Sequence, residues 1–429
     1  MNPNAQARSM LSNALSLADT IGFELLGTDL SKDAESGLKA ALASGAVFQG
    51  GNDPLSIFRA TVQASIREIQ TDERGRLFQR FLRDGPYESE GDIPAELRSQ
   101  RLTDDETASV IAFIYSFMVN SFKGAVTELL AGAPCQRLVE QLRLSGVLPA
   151  STRLYVGDTV MVLRKTGKGV LKGADMHALV VHGQLTVAPN VTVAGVAEVK
   201  SGRKSVAAMC RQLDQHILRT RHGVRVAGVP YPAAEVRLGC GPKTSILRIT
   251  VQPSDWRLPR TFRFENTECG RLLRVDETVT SPKDDQVTNL GDDRWHIILK
   301  SSKEAIAQAA YEMTFWYMEK VGEIIYSDPD AMPKDWQEMT PAEAGRNAAK
   351  MMLYYAILRC RTPRENQRAI ALYNTYGFGY ALGMSFRNAE GRREMLWPQD
   401  LDEILQSGKT KHGCRIENFY KRNRRRLPI

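Results

Sequence analysis

A carboxylate opens one apolar segment, Asp175 in KGADMHALVV, and a second sits near the end of the next, Glu198 in AEVKSG, with Lys200 two residues on. Side chains alternate faces along a strand, so Glu198 and Lys200 point one way while Val199 points into the core. If the two segments pair across the loop from His182 to Asn190, with its Gly183 and Pro189, Asp175 approaches Glu198. Two such carboxylates suit one hard cation, Mg2+ or alternatively Mn2+, because these ions take oxygen ligands and keep several waters. The matching chemistry is attack of an activated water on a phosphodiester. The cation offsets phosphate charge and lowers the pKa of its water, and a lysine beside it orients the nucleophile.

The surrounding charge agrees. From Val160 to His222 there are ten basic residues, among them Lys172, Arg203, Lys204 and Arg211, against three acids, Asp175, Glu198 and Asp214. Two of the three acids are the candidate ligands, so the remainder is almost purely positive, as binding to a phosphate backbone requires.

The elements that must position these groups can be read from periodicity. From the start to about Phe122 apolar residues recur at three and four, as in SIFRATVQASIREI and RLFQRFLRDG, and predict several short helices. Pro86 to Leu102 is polar, contains Gly and Pro, and reads as a surface connection before a helix that Thr103 caps with Glu106. The uncharged run Ala108 to Phe122 is too short to span a bilayer and reads as a buried helix. After a helix ending near Ala131, the β-branched runs LYVGDTVMVLR, DMHALVV, VTVAGVAEVK and SILRITV predict strands. Between the third and fourth, Val206, Met209, Leu213, Ile217 and Leu218 fall at helical spacing, with Gly223 marking the end. The order from Ser121 to Val251 is therefore α-β-β-β-α-β.

Beyond Pro253 the reading is an irregular stretch, then helices over Ser302 to Ile325 and Pro341 to Leu358. Their dense aromatics, including Phe315, Trp316, Tyr317, Tyr354 and Tyr355, read as core at helical spacing. Three domains follow: a helical region over 1–105, a catalytic core over 106–255, and a mostly helical region over 256–429 with a basic tail, Arg415 to Arg426.

Composition excludes several classes. The 429 residues are 43% hydrophobic and 25% charged, as in an ordinary globular protein, with a net charge of +8 that favours polyanionic partners. Six cysteines lie far apart with no CxxC pair, which speaks against a zinc or iron-sulfur site and for a reduced, cytoplasmic setting. There is no GxxxxGK[ST] loop, so any ATP-driven step requires a partner protein.

Asp175 followed by Glu198-Val199-Lys200, in an α-β-β-β-α-β order, resembles the PD-(D/E)XK nuclease superfamily, the restriction-endonuclease-like fold. The resemblance covers about Ser121 to Val251, under a third of the chain. It implies an α/β fold of mixed α+β character, with helical regions on either side of an αβββαβ core. It further implies that Asp175, Glu198 and the Val199 carbonyl hold Mg2+ and that Lys200 serves the water. Many members carry a further Glu on the first core helix, here Glu128, with Glu140 the alternative. Some carry a Gln on the helix after the Lys strand, matched by Gln212, and His216 one turn further on is a candidate for phosphate contact. His177 and His182 read as structural or surface residues. The residue before Asp175 is Ala174 instead of Pro, and 23 residues separate Asp175 from Glu198, which implies an extended hairpin or loop.

Glu and Lys two apart also pair on exposed edge strands, but the apolar flank VTVAGVA argues for a buried strand. The expected activity is Mg2+-dependent cleavage of nucleic acid, DNA favoured over RNA. By analogy the setting is restriction or antiviral defence, in a protein that works with a protein partner or as a homo-oligomer and without a membrane. The alternative is a non-catalytic nucleic-acid-binding or assembly subunit that retains the nuclease fold.

Overall fold

A central mixed sheet carries the site, and its strands are the apolar runs of the sequence. The computed structural model describes residues 29–84, 106, 109–110, 112–166, 169–183, 188–202, 204–239, 245–254, 260–267, 270–277, 283–332, 336–346, 348–349, 384–387 and 393–396. The tail Arg415 to Arg426, Pro86 to Leu102, Thr103, Arg203, Tyr354 and Tyr355 lie outside them.

In chain order, helix α1 (Asp29–Ala43) leads through the short strand β1 (Val47–Phe48) to α2 (Pro54–Thr71) and α3 (Arg74–Asp84). A π-helical turn, Phe113–Met118, runs into the long helix α4 (Val119–Leu144). Then come β2 (Arg153–Val156), β3 (Val160–Leu163), β4 (Val170–Lys172), β5 (Met176–His182), β6 (Asn190–Val199), α5 (Val206–Thr220), β7 (Val224–Val226), β8 (Glu235–Leu238) and β9 (Leu247–Ser254). Two further hairpins follow, β10 (Arg260–Thr267) with β11 (Gly270–Glu277) and β12 (Gln286–Gly291) with β13 (Arg294–Ser302). Helix α6 (Lys303–Ile325) and a last hairpin, β14 (Met384–Arg387) with β15 (Arg393–Leu396), complete the described elements.

The large sheet has the order β1-β2-β5-β6-β9-β13-β12, with β8 also paired to β6. Strands β2, β5 and β6 form an antiparallel meander, whereas β9 runs parallel to β6 and β13 parallel to β9. A parallel β6–β9 pair demands a crossover, and α5 supplies it. Chain order across Val119–Ser254 is helix, strands, helix, strand, with small strands inserted. The fold is thus mixed α/β with a mixed sheet. Near-continuous burial along β6, from Val193 to Val199, marks it as a central strand covered on both faces. On the α5 side the core is Tyr155, Leu179, Val193, Val196, Leu213 and Ile217. Gly195 lets β6 approach β9, because a Cβ there would lie 2.8 Å from that of Leu247.

Three elements differ from the sequence reading. LYVGDTVMVLR is two strands: Gly157, at φ 72°, turns the chain out of the large sheet, and β3 joins β4 and β7 in a three-stranded sheet. Helix α4 continues through Pro134 to Leu144, since one lost backbone donor is outweighed by burial of Leu138, Val139 and Leu142. Between Pro253 and α6 the described residues form four strands, β10 to β13. The polar turn Gly291-Asp292-Asp293, all at positive φ, closes the hairpin that adds β13 to the sheet, and of the apolar residues of that strand Ile297 and Leu299 turn fully into the core. Leu218, assigned to the apolar face of α5, is 56% exposed.

The chain divides into two compact units, each assembled from three segments of sequence. One takes Met1–Ile66, Lys123–Trp256 and Thr280–Ile306, and contains the large sheet. The other takes Arg67–Phe122, Arg257–Val279 and Ala307–Ile429. Within this second unit aromatics form a core as expected: Phe315 and Tyr317 are each 2% exposed, and the Phe78 and Tyr317 rings stack at 6.2 Å. Leading into α4 and at its start, Phe113, Ile114, Met118 and Phe122 are fully covered. Among the described residues no helix is long and apolar enough to cross a membrane.

Candidate active site

Asp175 immediately precedes β5, and Glu198 is the penultimate residue of β6. The antiparallel register pairs His182 with Asn190 and Met176 with Ala197, which brings Asp175 level with Glu198. The 23-residue separation is therefore a long hairpin. Residues facing each other across an antiparallel pair project to the same face. The Val199 N–H donates to Oδ2 of Asp175 at 2.8 Å, so the strand that carries Glu198 also fixes Asp175.

Glu198 is 1% exposed, and its carboxylate is enclosed by two cationic or cationisable groups. Lys200 Nζ donates to Oε1, and His216 Nε2 lies 3.5 Å from Oε2. Burial raises the Glu198 pKa, the charge on Asp175 raises it further, and Lys200 and Lys204 oppose the rise. The Lys200 N–H bonds to the carbonyl of Val251, extending the β6–β9 pairing past Glu198 and holding the Glu-Val-Lys backbone in line.

Helix α4 delivers Glu128 to the same neighbourhood. Its Oε1 accepts a hydrogen bond from Lys172 Nζ at 3.2 Å, and the same ammonium is 3.7 Å from Oδ1 of Asp175. Burial and then the Asp175 charge push the Glu128 pKa up to about 7, partly countered by Lys172. Glu140 stands twelve residues further along α4, about 18 Å at 1.5 Å per residue. Of the two candidates, Glu128 is the one in the field of Asp175.

The remaining candidates divide by position. Lys204 and Arg211 are exposed around the start of α5, and Lys204 Nζ donates to Oε1 of Gln212 at 2.8 Å. Gln252 Nε2 bonds to the carbonyl of Lys204 at 2.7 Å and so ties this loop to β9. Ser205 caps α5, its hydroxyl accepting from the Ala208 N–H. His216 turns inward to Glu198 instead of outward to solvent. Lys172, read as a phosphate contact, is engaged with Glu128 and Asp175.

Two further residues stand near the site, Asp158, which was not singled out from sequence, and His177, which was read there as structural or surface. Asp158, in the turn between β2 and β3, adds to the electrostatic field on Glu128 and Lys172. His177 is fully buried, with no hydrogen-bond partner on either ring nitrogen. The period of two from Asp175 places His177 on the same face, a signal present in the sequence. Burial, and secondarily His216, lower its pKa to about 3. His182 is exposed, its Nε2 3.0 Å from the Thr192 hydroxyl.

Among the described residues no three His, Cys, Asp or Glu side chains are gathered into one metal-ligand group. The pair Asp175 and Glu198 nevertheless has the chemistry a hard cation needs, two carboxylates level on adjacent strands, the Glu198 pKa raised by burial and then by the Asp175 charge. The Val199 carbonyl would complete a set of three. Compared with protein-family models, curated proteins and solved structures, the chain matches none.

Proposed function

We propose that this protein is a Mg2+-dependent nuclease of the PD-(D/E)XK type, hydrolysing phosphodiester bonds of nucleic acid, DNA favoured over RNA. What carries the reading is the level placement of Asp175 and Glu198 on paired strands, with Lys200 hydrogen-bonded to Glu198. A bound divalent cation would neutralise phosphate charge and make water nucleophilic near neutral pH. Asp175, Glu198 and the Val199 carbonyl are the groups that would hold it. Lys200 orients the attacking water and offsets developing negative charge. His216 and the Val199 N–H position the two carboxylates. Exposed Lys204 and Arg211 hold the phosphate backbone without reading bases. A restriction or antiviral role in the cytoplasm follows by analogy from a basic nuclease without its own ATPase loop.

The test is cleavage of supercoiled DNA, linear DNA and RNA with Mg2+, Mn2+ or chelator. Metal-dependent cleavage that disappears in Glu198→Gln and Lys200→Met, with nucleic-acid binding retained, is the expected result. Binding without cleavage under every metal condition would favour the alternative of a non-catalytic subunit. Equal residual activity in wild type and both variants would remove the assignment.

A further inference from the structure

Lys172 closes β4, and its ammonium faces carboxylates from two separate elements and lies in the field of a third. Glu128 of α4 lies at 3.2 Å and Asp175 before β5 at 3.7 Å, while Asp158 in the turn after β2 contributes to the same field. Glu128 is thereby drawn to an ammonium and is not gathered with Asp175 and Glu198 into one ligand group. Asp175 stands between two roles: Oδ2 accepts from the Val199 N–H beside Glu198, and Oδ1 faces Lys172. A lysine so placed supplies positive charge among oxygens, as a divalent cation does, but it is tethered and carries a single charge.

We propose that Lys172 is a built-in cation on the Glu128 side of the site, so that the protein takes up one exchangeable divalent cation, on Asp175 and Glu198, instead of two. This rests on the metal-dependent reading of the same carboxylates. It assigns Glu128 as a positioning residue, holding Lys172 against Asp175, and not as a metal ligand. Two-metal phosphodiesterases place a second ion to balance charge on the oxygens of the displacement. Lys172, half-exposed at 51%, has the reach to do this for phosphate from a fixed anchor.

The experiment measures Mn2+ stoichiometry on the full chain without nucleic acid, by calorimetry and electron paramagnetic resonance, at about pH 8, above the ordinary carboxylate range. Wild type is expected to bind one Mn2+ per chain. Lys172→Met keeps the stem and removes the charge, so it should bind two, with the spectrum of a spin-coupled pair. Adding Glu128→Gln should return it to one, and Lys172→Arg should stay at one. Lys172→Gln carries the same expectation as Lys172→Met if the latter does not fold. One Mn2+ in both neutral variants, or two in wild type, would overturn the built-in cation while leaving the nuclease reading intact. No Mn2+ in wild type would overturn the metal-dependent reading, and this inference with it.

Discussion

The Val199 N–H donates to Oδ2 of Asp175 at 2.8 Å, so a backbone group on one strand holds the carboxylate that opens its neighbour. Side-chain chemistry and strand register are coupled at this bond. A one-residue slip would carry Glu198 to the opposite face and would break the bond as well.

Two substitutions at Asp175 should therefore separate catalysis from folding. Asp175→Asn keeps an oxygen acceptor for Val199 and should melt close to wild type, yet lose metal-dependent cleavage. Asp175→Ala leaves the Val199 N–H without that acceptor and should also lose about 1–3 kcal/mol of stability. Thermal melts run beside cleavage assays check both.

Glu198 and Lys200 should behave as a coupled pair. Lys200→Met leaves a nearly buried carboxylate without its hydrogen-bonded ammonium, facing His216 at 3.5 Å, and should destabilise by about 1–3 kcal/mol while abolishing cleavage. Glu198→Gln/Lys200→Met should be more stable than Lys200→Met alone. A double-mutant cycle in urea would show additive effects if the pair were not coupled.

His177 sets a pH dependence with a definite sign. Its folded pKa of about 3 lies below the ordinary 6.5, so the unfolded chain takes up a proton that the native state refuses. The stability associated with the neutral ring is fully present above 6.5 and is lost as pH falls from 6.5 toward 3. The slope approaches about 1.4 kcal/mol per pH unit within that window. Glu128, with its pKa raised to about 7 from 4.5, acts oppositely, lowering stability as pH rises through that range. The diagnostic is thus the difference between wild type and His177→Leu, which should grow on acidification from 6.5. A difference independent of pH in chemical denaturation would contradict it.

Lys204 and Arg211 should contribute affinity without sequence preference. Changing either to Gln should weaken DNA binding similarly on unrelated sequences, and should reduce the slope of log K against log salt by about one per residue. Fluorescence anisotropy across a salt series measures this. Lys172→Gln should alter the slope less, because its ammonium is already committed to Glu128 and Asp175.

Much of the candidate site was legible in the chain. Alternation along VTVAGVAEVK placed Glu198 and Lys200 on one face. The apolar positions Met209, Leu213 and Ile217 marked the buried side of α5, and β-branched runs marked the central strands. These are local properties, set by a period of two or 3.6 and by the preference of branched side chains for a pleated surface. Even so, the split of LYVGDTVMVLR turned on one glycine with a positive φ, and β13 escaped notice because few of its residues enter the core fully.

Tertiary structure alone decided who faces whom. Lys172 meets Glu128 across 44 residues of sequence, Asp158 joins them through a turn, and His216 points to Glu198 instead of to phosphate. The sequence by itself determined which residues could carry charge on one face of a strand. The packing of α4, α5 and β4 against that sheet decided which charges neutralise one another, because Coulomb energy depends on distance in space and on exposure to water, neither of which is written in residue order.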